Sequence, residues 1–538
     1  MDYLKERKWS KFYPSGAMKK LEYPEITLDS LLKATVEKYG NRTAIISENE
    51  QMSYLELENK VDRLAGAWDG MGLKKGERIG LMIPNVPSYI IAYYAALRLG
   101  LIVVQINPNY TARELLQIAD DSTLNYIVVE EDNLDTINQV NDMYKLDYVF
   151  VTDTNKTDLY SLDSLIKKSD PIDKEVSISV EEDVAVIQYT GGTSGVMKGA
   201  MLTHRNLLAN VIQSYAIYGE NMQPGREIVL TATPLYHVYA MTSAMNLGIY
   251  IGATILLIKK FEVTDVLTKV KQYQPTFFPG VPKMYNAFVN HPGVESYGLD
   301  CLKICSCGSA PLPIEVIRRF DNLTSAVIGE GFGLSEASPS THRNPATGTR
   351  KIGSIGIPLP DTDSKVVDED SNELPVNSVG ELIIKGPQIM KGYWGNEEET
   401  SRSLKNGWLY TGDLAMQDED GYFYIVGRKK EMIIVGGFNI YPQEVEGVLY
   451  EHPDVKESAV VGIPDPEKGE IVKAYIVPKD GASIDIEEVK GYCYQNLTPY
   501  KVPKQFGVVE ALPRNTVGKL LKRKLIEEEK KKIKEKDI

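Results

Sequence analysis

The stretch Tyr189-Thr190-Gly191-Gly192-Thr193-Ser194-Gly195-Val196-Met197-Lys198-Gly199 constrains this chain more than any other. It follows an apolar run, Val184-Ala185-Val186-Ile187, that reads as a buried strand. Beyond it, Thr203 can cap a helix whose apolar positions are Leu207, Leu208, Val211 and Ile212. The expected order is therefore strand, glycine-hydroxyl loop, helix. Glycines let the backbone turn tightly and aim N–H groups at one point. Thr190, Thr193 and Ser194 add hydroxyl donors, and Lys198 adds a mobile positive charge. That chemistry suits a polyphosphate. A Walker A loop requires G-x-x-x-x-G-K-[S/T], and Lys198 fails it, because Gly199 follows and no glycine directly precedes. A glycine-rich surface loop is the competing reading, and the distant partners described next weigh against it.

The first candidate partner is Gly329-Glu330-Gly331-Phe332-Gly333-Leu334-Ser335-Glu336, where a strand ends in glycines and delivers a hydroxyl and a carboxylate. Ser335 can hydrogen-bond a phosphate or a carboxylate. Glu336 can hold Mg²⁺, which prefers carboxylate and phosphate oxygens. Taken alone, the segment reads better as a tight turn with an exposed acid. The second is Tyr410-Thr411-Gly412-Asp413, whose carboxylate can accept both hydroxyls of a ribose. A plain turn acid fits that tetrapeptide equally well. The third is Pro513-Arg514-Asn515-Thr516-Val517-Gly518-Lys519, a lysine on a glycine turn that can neutralise charge on a transferring group.

These elements together resemble the adenylate-forming superfamily of acyl-CoA synthetases, non-ribosomal peptide adenylation domains and luciferases. Met197 stands where many members have proline; long-chain fatty acyl-CoA synthetases often lack that proline, so the resemblance leans to that branch. It implies an α/β fold with a large multi-lobed N-terminal domain of layered sheets and helices. A small mobile α+β C-terminal domain would follow, with limits at 1–427, a hinge at 428–432, and 433–538. It implies ATP, Mg²⁺ and coenzyme A as cofactors and a medium- or long-chain carboxylic acid as substrate. An aryl or short-chain acid, or another acyl acceptor, is the alternative.

Carried over residue by residue, Thr190, Gly191, Gly192, Thr193, Ser194, Gly195 and Lys198 would bind phosphates, with Thr190 and Glu336 at the metal. Gly308-Ser309-Ala310 resembles the segment lying along adenine, and Gly331, Phe332, Gly333 and Ser335 match the G-Y-G-x-T element. Asp413 and Arg428 would hold ribose or phosphate, and Lys519 would serve adenylation. Glu431 would be the hinge, where the family usually has Asp or Lys, and Gly436-Gly437 would let a pantetheine arm pass. His237 resembles the residue gating the substrate carboxylate. Tyr239, Met241, Ser243, Gly280 and Val281 could line an acyl channel, although core packing explains each of them as well.

Composition narrows the partners. A formal net charge of −14 argues against a nucleic-acid partner, which would want a basic face. Four cysteines in 538 residues argue against a disulfide framework. Cys301, Cys305 and Cys307 lack a second ligand pair at zinc spacing and read as lining a buried strand. The N-terminal segment has no apolar core for a signal peptide, and Arg98 and Gly100 break the most apolar stretch into a helix and a strand. We therefore expect a cytoplasmic protein with small-molecule partners and no integral membrane segment; a homodimer is left open.

Along the chain, Ser53 and Glu56 predict a capping box before a helix running to about Gly70. Strands are expected at 78–83, 101–105, 227–231 and 253–258, and a helix at 86–99. Residues 153–183 read as a polar surface connection. Residues 519–536 read as a solvated, charge-rich helix.

Overall fold

The computed structural model describes residues 7–536 apart from 15–16, 18–19, 49, 153, 155, 157–158, 192–196, 347, 436–437, 466–468 and 515–518. The chain divides into two compact units. One comprises Met1–Asp363, Ile384–Leu409 and Asp420–Tyr422; the other comprises Ser364–Ile383, Tyr410–Glu419 and Phe423–Ile538.

Two large sheets build the first unit. In the eight-stranded sheet the order is Gly392–Tyr393, Met197–Thr203, Val184–Gly191, Ile102–Gln105, Arg78–Met82, Tyr126–Val129, Tyr148–Val151 and Tyr160–Ser161. Ile102–Gln105 is buried at every position, as a parallel strand covered on both faces must be. The other sheet has nine strands. Its central strands Phe277–Gly280, Ile304–Cys307 and Val327–Gly333 run parallel, and Ser340–Arg343 turns back antiparallel to the last of them.

Helix starts follow the capping chemistry. Ser53 and Glu56 form the expected reciprocal box, with Ser53 N donating to Glu56 Oε2 at 2.7 Å, and the helix spans Tyr54–Gly70. Thr203 and Asn206 form a second box ahead of helix His204–Tyr218. Helix Pro87–Arg98 lies in the core. Its Arg98 is 3 % exposed at the side chain and is gripped by Asp29 at 2.7 Å, Glu58 at 2.9 Å and Asp62. A buried guanidinium persists only when so paired.

Three expectations need correction. The phosphate-loop region is not strand, loop, helix. Met197–Thr203 forms a strand antiparallel to Val184–Gly191, so a hairpin precedes the helix. Gly199 makes that hairpin close-packed, since a Cβ there would lie 2.6 Å from the Ile187 side chain. Residues 153–183 are not merely a surface connection: they include strand Tyr160–Ser161 and helix Leu162–Lys168, docked through buried Leu162 and Ile166. The C-terminal helix is Lys522–Lys536 and is not fully solvated. Leu525 packs against Ala459, Val461, Tyr475 and Leu512, and buried Glu529 accepts from Lys473 Nζ at 2.7 Å.

In the second unit, Phe438–Ile440, Ile433–Val435, Gly469–Pro478 and Val455–Asp465 form one sheet, with Gln505–Val508 added parallel to Gly469–Pro478. Helices Pro442–Glu451 and Ile486–Asn496 cover one face through Val445, Leu449, Val489 and Cys493. Strands Val379–Lys385, Trp408–Gln417 and Phe423–Arg428 lie side by side in a further sheet. All four cysteines are unpaired; Cys305 and Cys307 lie buried in strand Ile304–Cys307. Among the described residues no helix is long and apolar enough to cross a membrane.

Candidate active site

The hairpin register sets the first contacts. Thr190 lies directly opposite Lys198, so their side chains share one face of the sheet. Gly192, Thr193, Ser194 and Gly195 lie outside the described residues, as do Gly436 and Gly437. Next to the hairpin, Tyr393 pairs with Ala200, and Trp394 N donates to Gly199 O at 2.8 Å. This fastens Tyr393 beside Lys198, whose Nζ stands 5.4 Å from the Tyr393 ring centroid. Lys198 also pairs with Glu399.

Tyr393 then reaches the second motif. Its hydroxyl donates to Glu336 Oε1 at 2.8 Å. Burial, followed by the nearby Glu336 charge, pushes the Tyr393 phenol pKa well up, so the hydroxyl keeps its proton and stays a donor. Glu336 sits in the short turn Ser335–Ala337 directly after strand Val327–Gly333. Gly333 is required on steric grounds, because a Cβ there would lie 2.4 Å from Pro339 O. Thr190, Lys198, Tyr393, Glu399 and Glu336 thus form one linked group from three distant segments.

Glu336, beside the strand pair that carries Thr190 and Lys198, fits Mg²⁺, which takes one or two protein carboxylates plus substrate phosphates. Among the described residues no cluster of three or more acidic, histidine or cysteine side chains forms a dedicated metal cage.

The parallel strands deliver the next residues in register. Gly280, Cys307 and Glu330 are neighbours across three strands, so Val281, Gly308 and Gly331 follow at the same carboxyl-terminal edge. In open α/β sheets that edge is where ligands bind. Gly308 faces the Tyr239 ring, 3.5 Å from where a Cβ would stand. Ser309, just beyond the strand end, adopts φ 73°. Gly331 is closely backed by His342 O, 3.0 Å from a built Cβ, and Phe332 meets the His342 ring edge-on at 6.2 Å. Burial pushes the Glu330 carboxyl up to about 7, although Gly353 N donates to it at 3.1 Å.

The proposed channel residues divide. Tyr239 is buried, with its hydroxyl 2.9 Å from Ser306 Oγ. Met241 and Ser243 are buried in the π-helical turn Met241–Asn246, and Gln105 Nε2 donates to Met241 Sδ at 2.9 Å. Such turns recur at functional sites. Half-buried His237 caps the preceding turn, its Nδ1 accepting from Tyr239 N at 3.3 Å. Val281 is the N-cap of helix Pro282–Asn290.

Within the second unit, Asp413 and Arg428 face each other across a strand pair, with Nε to Oδ1 at 2.8 Å. Glu381 accepts from Gly412 N at 3.1 Å and from Lys429 Nζ at 3.0 Å, which fixes the flanking backbone. Glu431 lies 3.5 Å from Lys522 Nζ, and Lys522 also pairs with Glu446 at 2.7 Å. Lys519 is exposed.

Sequence reasoning missed Tyr393, Glu399 and Lys522. The Gly-Tyr-Trp run before the acidic cluster 397–399 was an available signal for the first two. Nothing local tied it to Lys198.

Comparison with known proteins settles the family. Residues 32–394 match the model of the AMP-binding enzyme, and residues 444–519 match the AMP-binding enzyme C-terminal domain. The chain belongs to the AMP-binding enzyme family. It is 39 % identical to a long-chain-fatty-acid–CoA ligase of Bacillus subtilis (strain 168), over 97 % of this chain and 98 % of that protein. The identity to a long-chain-fatty-acid–CoA ligase of Escherichia coli O6:H1 is 38 %, over 98 % and 99 %. Among solved structures, ATP-bound MatB from Rhodopseudomonas palustris superposes with a TM-score of 0.86 at 29 % identity, over 93 % of this chain and 99 % of that one. The fold is thus shared with MatB along almost the whole length of that chain, and Thr190, Lys198, Glu336 and Tyr393 fall inside the region matched by the AMP-binding enzyme model, with Glu399 just beyond it.

Proposed function

We propose that the protein is an AMP-forming fatty acyl-CoA synthetase that activates a medium- or long-chain carboxylic acid with ATP and transfers the acyl group to CoA. Two findings support the reading: the near-full-length likeness to long-chain-fatty-acid–CoA ligases, and the grouping of Thr190, Lys198 and Glu336 around Tyr393.

In the first step the fatty-acid carboxylate attacks the α-phosphate and pyrophosphate leaves. The glycine-hydroxyl hairpin donates to the phosphate oxygens, and Lys198 exchanges Glu399 for phosphate charge. Glu336, oriented by Tyr393, would hold Mg²⁺ together with Thr190, and a bound ion would supply charge that lowers the repulsion between carboxylate and triphosphate. Asp413 accepts from the ribose hydroxyls, with Arg428 beside it. His237 borders the carboxylate end of the acyl channel. Lys519 donates to the developing charge. Because little covalent chemistry falls to the protein, positioning supplies much of the rate. In the second step the domain 433–538 turns about the hinge 428–432 relative to 1–427, withdrawing Lys519 and bringing Gly436-Gly437 to the pantetheine arm. The CoA thiol attacks the activated carbonyl and AMP departs. The proposed compartment is the cytoplasm, where unpaired thiols such as the four here persist.

Half-reactions of Lys519→Ala test this division of labour. The variant is expected to lose acid-dependent ATP–pyrophosphate exchange while still forming thioester from supplied acyl-adenylate. An equal loss of both would overturn it.

A further inference from the structure

Arg343 carries the strongest unexplained chemistry in the first unit. It is 3 % exposed. It ends strand Ser340–Arg343 and lies opposite Gly331. Cβ atoms built on Gly331 and Gly329 would stand 3.6 Å from Arg343 Nε and 3.8 Å from Arg343 Cγ. The side chain therefore runs along the bare glycine face of the strand that leads to Glu336. Its guanidinium carbon sits 4.6 Å from the Tyr218 ring centroid, and Nη2 donates to Ser340 Oγ at 3.3 Å. Nε and Nη1 meet no hydrogen-bond partner among the described residues.

The contrast with Arg98 is informative. That equally buried guanidinium is ringed by three carboxylates. Among the described residues no carboxylate pairs with Arg343 to offset its burial, which lowers its pKa to about 10. An isolated buried cation is costly unless something pairs with it. Hydroxyls on the helix that carries Tyr218, and on the turn packed against that helix, are unsatisfied in the same way. The Tyr218 hydroxyl and Ser214 Oγ on helix His204–Tyr218, and Thr242 Oγ1 and Ser243 Oγ on the π-helical turn, meet no hydrogen-bond partner among the described residues. Tyr218 and Ala244 share one cluster, so the helix and the turn are packed together. The turn also bears Met241 and Ser243 of the proposed acyl channel. A hydroxyl on the acyl chain would leave the guanidinium charge uncompensated; a carboxylate would neutralise it and match its fork.

We propose that Arg343 is a specificity-determining residue whose buried guanidinium receives a carboxylate at the far end of the acyl chain, making α,ω-dicarboxylic acids substrates. This rests on the acyl-CoA synthetase reading. The test compares kcat/KM for CoA thioester formation from dodecanoate and dodecanedioate, using the full chain with ATP and Mg²⁺. The wild type is expected to use both acids. In Arg343→Met the ratio of dicarboxylate to monocarboxylate should fall by about tenfold to hundredfold, the usual worth of a hydrogen bond to a charged group. Arg343→Lys should restore part of it. A ratio unchanged by Arg343→Met, with dodecanoate still consumed, refutes the proposal alone. Failure of the wild type on every fatty acid refutes the parent reading and this proposal with it. Should Arg343→Met not fold, the wild type decides: dodecanedioate must be turned over or compete with dodecanoate, and failure of both sinks the proposal.

Discussion

Removing one oxygen from Tyr393 isolates the contact that joins the loop hairpin to the proposed metal carboxylate. In Tyr393→Phe the ring stays, and with it the stacking distance of 5.4 Å to Lys198 Nζ. What disappears is the 2.8 Å hydrogen bond to Glu336 Oε1. A hydrogen bond to a charged group contributes about 1.5–3 kcal/mol, and each 1.4 kcal/mol is tenfold in rate. If the bond orients Glu336 chiefly in the transition state, kcat/KM for acid-dependent ATP–pyrophosphate exchange drops roughly tenfold to hundredfold. The Mg²⁺ concentration for half-maximal rate rises with it. Thioester formation from supplied acyl-adenylate, which needs no triphosphate, should stay near the wild-type rate. On a Glu336→Gln background the same change should add little, because the two residues act as a unit. Unchanged exchange in Tyr393→Phe, or an equal fall in both half-reactions, would show that Tyr393 does not act through Glu336.

Other consequences concern stability. Arg98→Met strands Asp29, Glu58 and Asp62 without their buried cation and should cost about 3–5 kcal/mol in denaturant unfolding; a loss below 1 kcal/mol would mean that water already compensates those carboxylates. Burial holds His204 neutral, its pKa pushed down to about 4, whereas the unfolded chain takes up a proton near pH 6.5. The unfolded state then binds more protons below that pH, so this stability is present above about 6.5 and is lost as the pH falls toward 4. It is worth on the order of 3 kcal/mol. His204→Asn should flatten the slope between those limits, and an unaltered slope would mean that His204 is protonated in the folded chain.

How much could be read in advance follows from the range of each signal. Ser53 with Glu56 and Thr203 ahead of its helix are local capping chemistry, and both helices start where the residues say. Ile102–Gln105 announces itself by being apolar almost throughout. Helix Leu162–Lys168 escapes because only Leu162 and Ile166 mark its buried side. Strand Met197–Thr203 escapes because Lys198 and Gly199 continue the look of the loop, and its pairing with Val184–Gly191 appears only in three dimensions. The C-terminal helix has so few apolar residues that the burial of Leu525 depends on Tyr475 and Val461 from the sheet beneath. In the site, the motif glycines and Glu336 were legible. Tyr393 and Arg343 were not, because their roles arise from register across the sheets: Tyr393 against Ala200, and Arg343 against Gly331.

Thioester formation with ATP, Mg²⁺ and CoA over carboxylates from acetate to oleate, with an aryl acid such as coumarate, tests the central claim most directly. The account predicts AMP and acyl-CoA in equal amounts, with kcat/KM highest for medium or long chains. Turnover confined to acetate or to the aryl acid, or pyrophosphate release with no acyl-CoA, would contradict it.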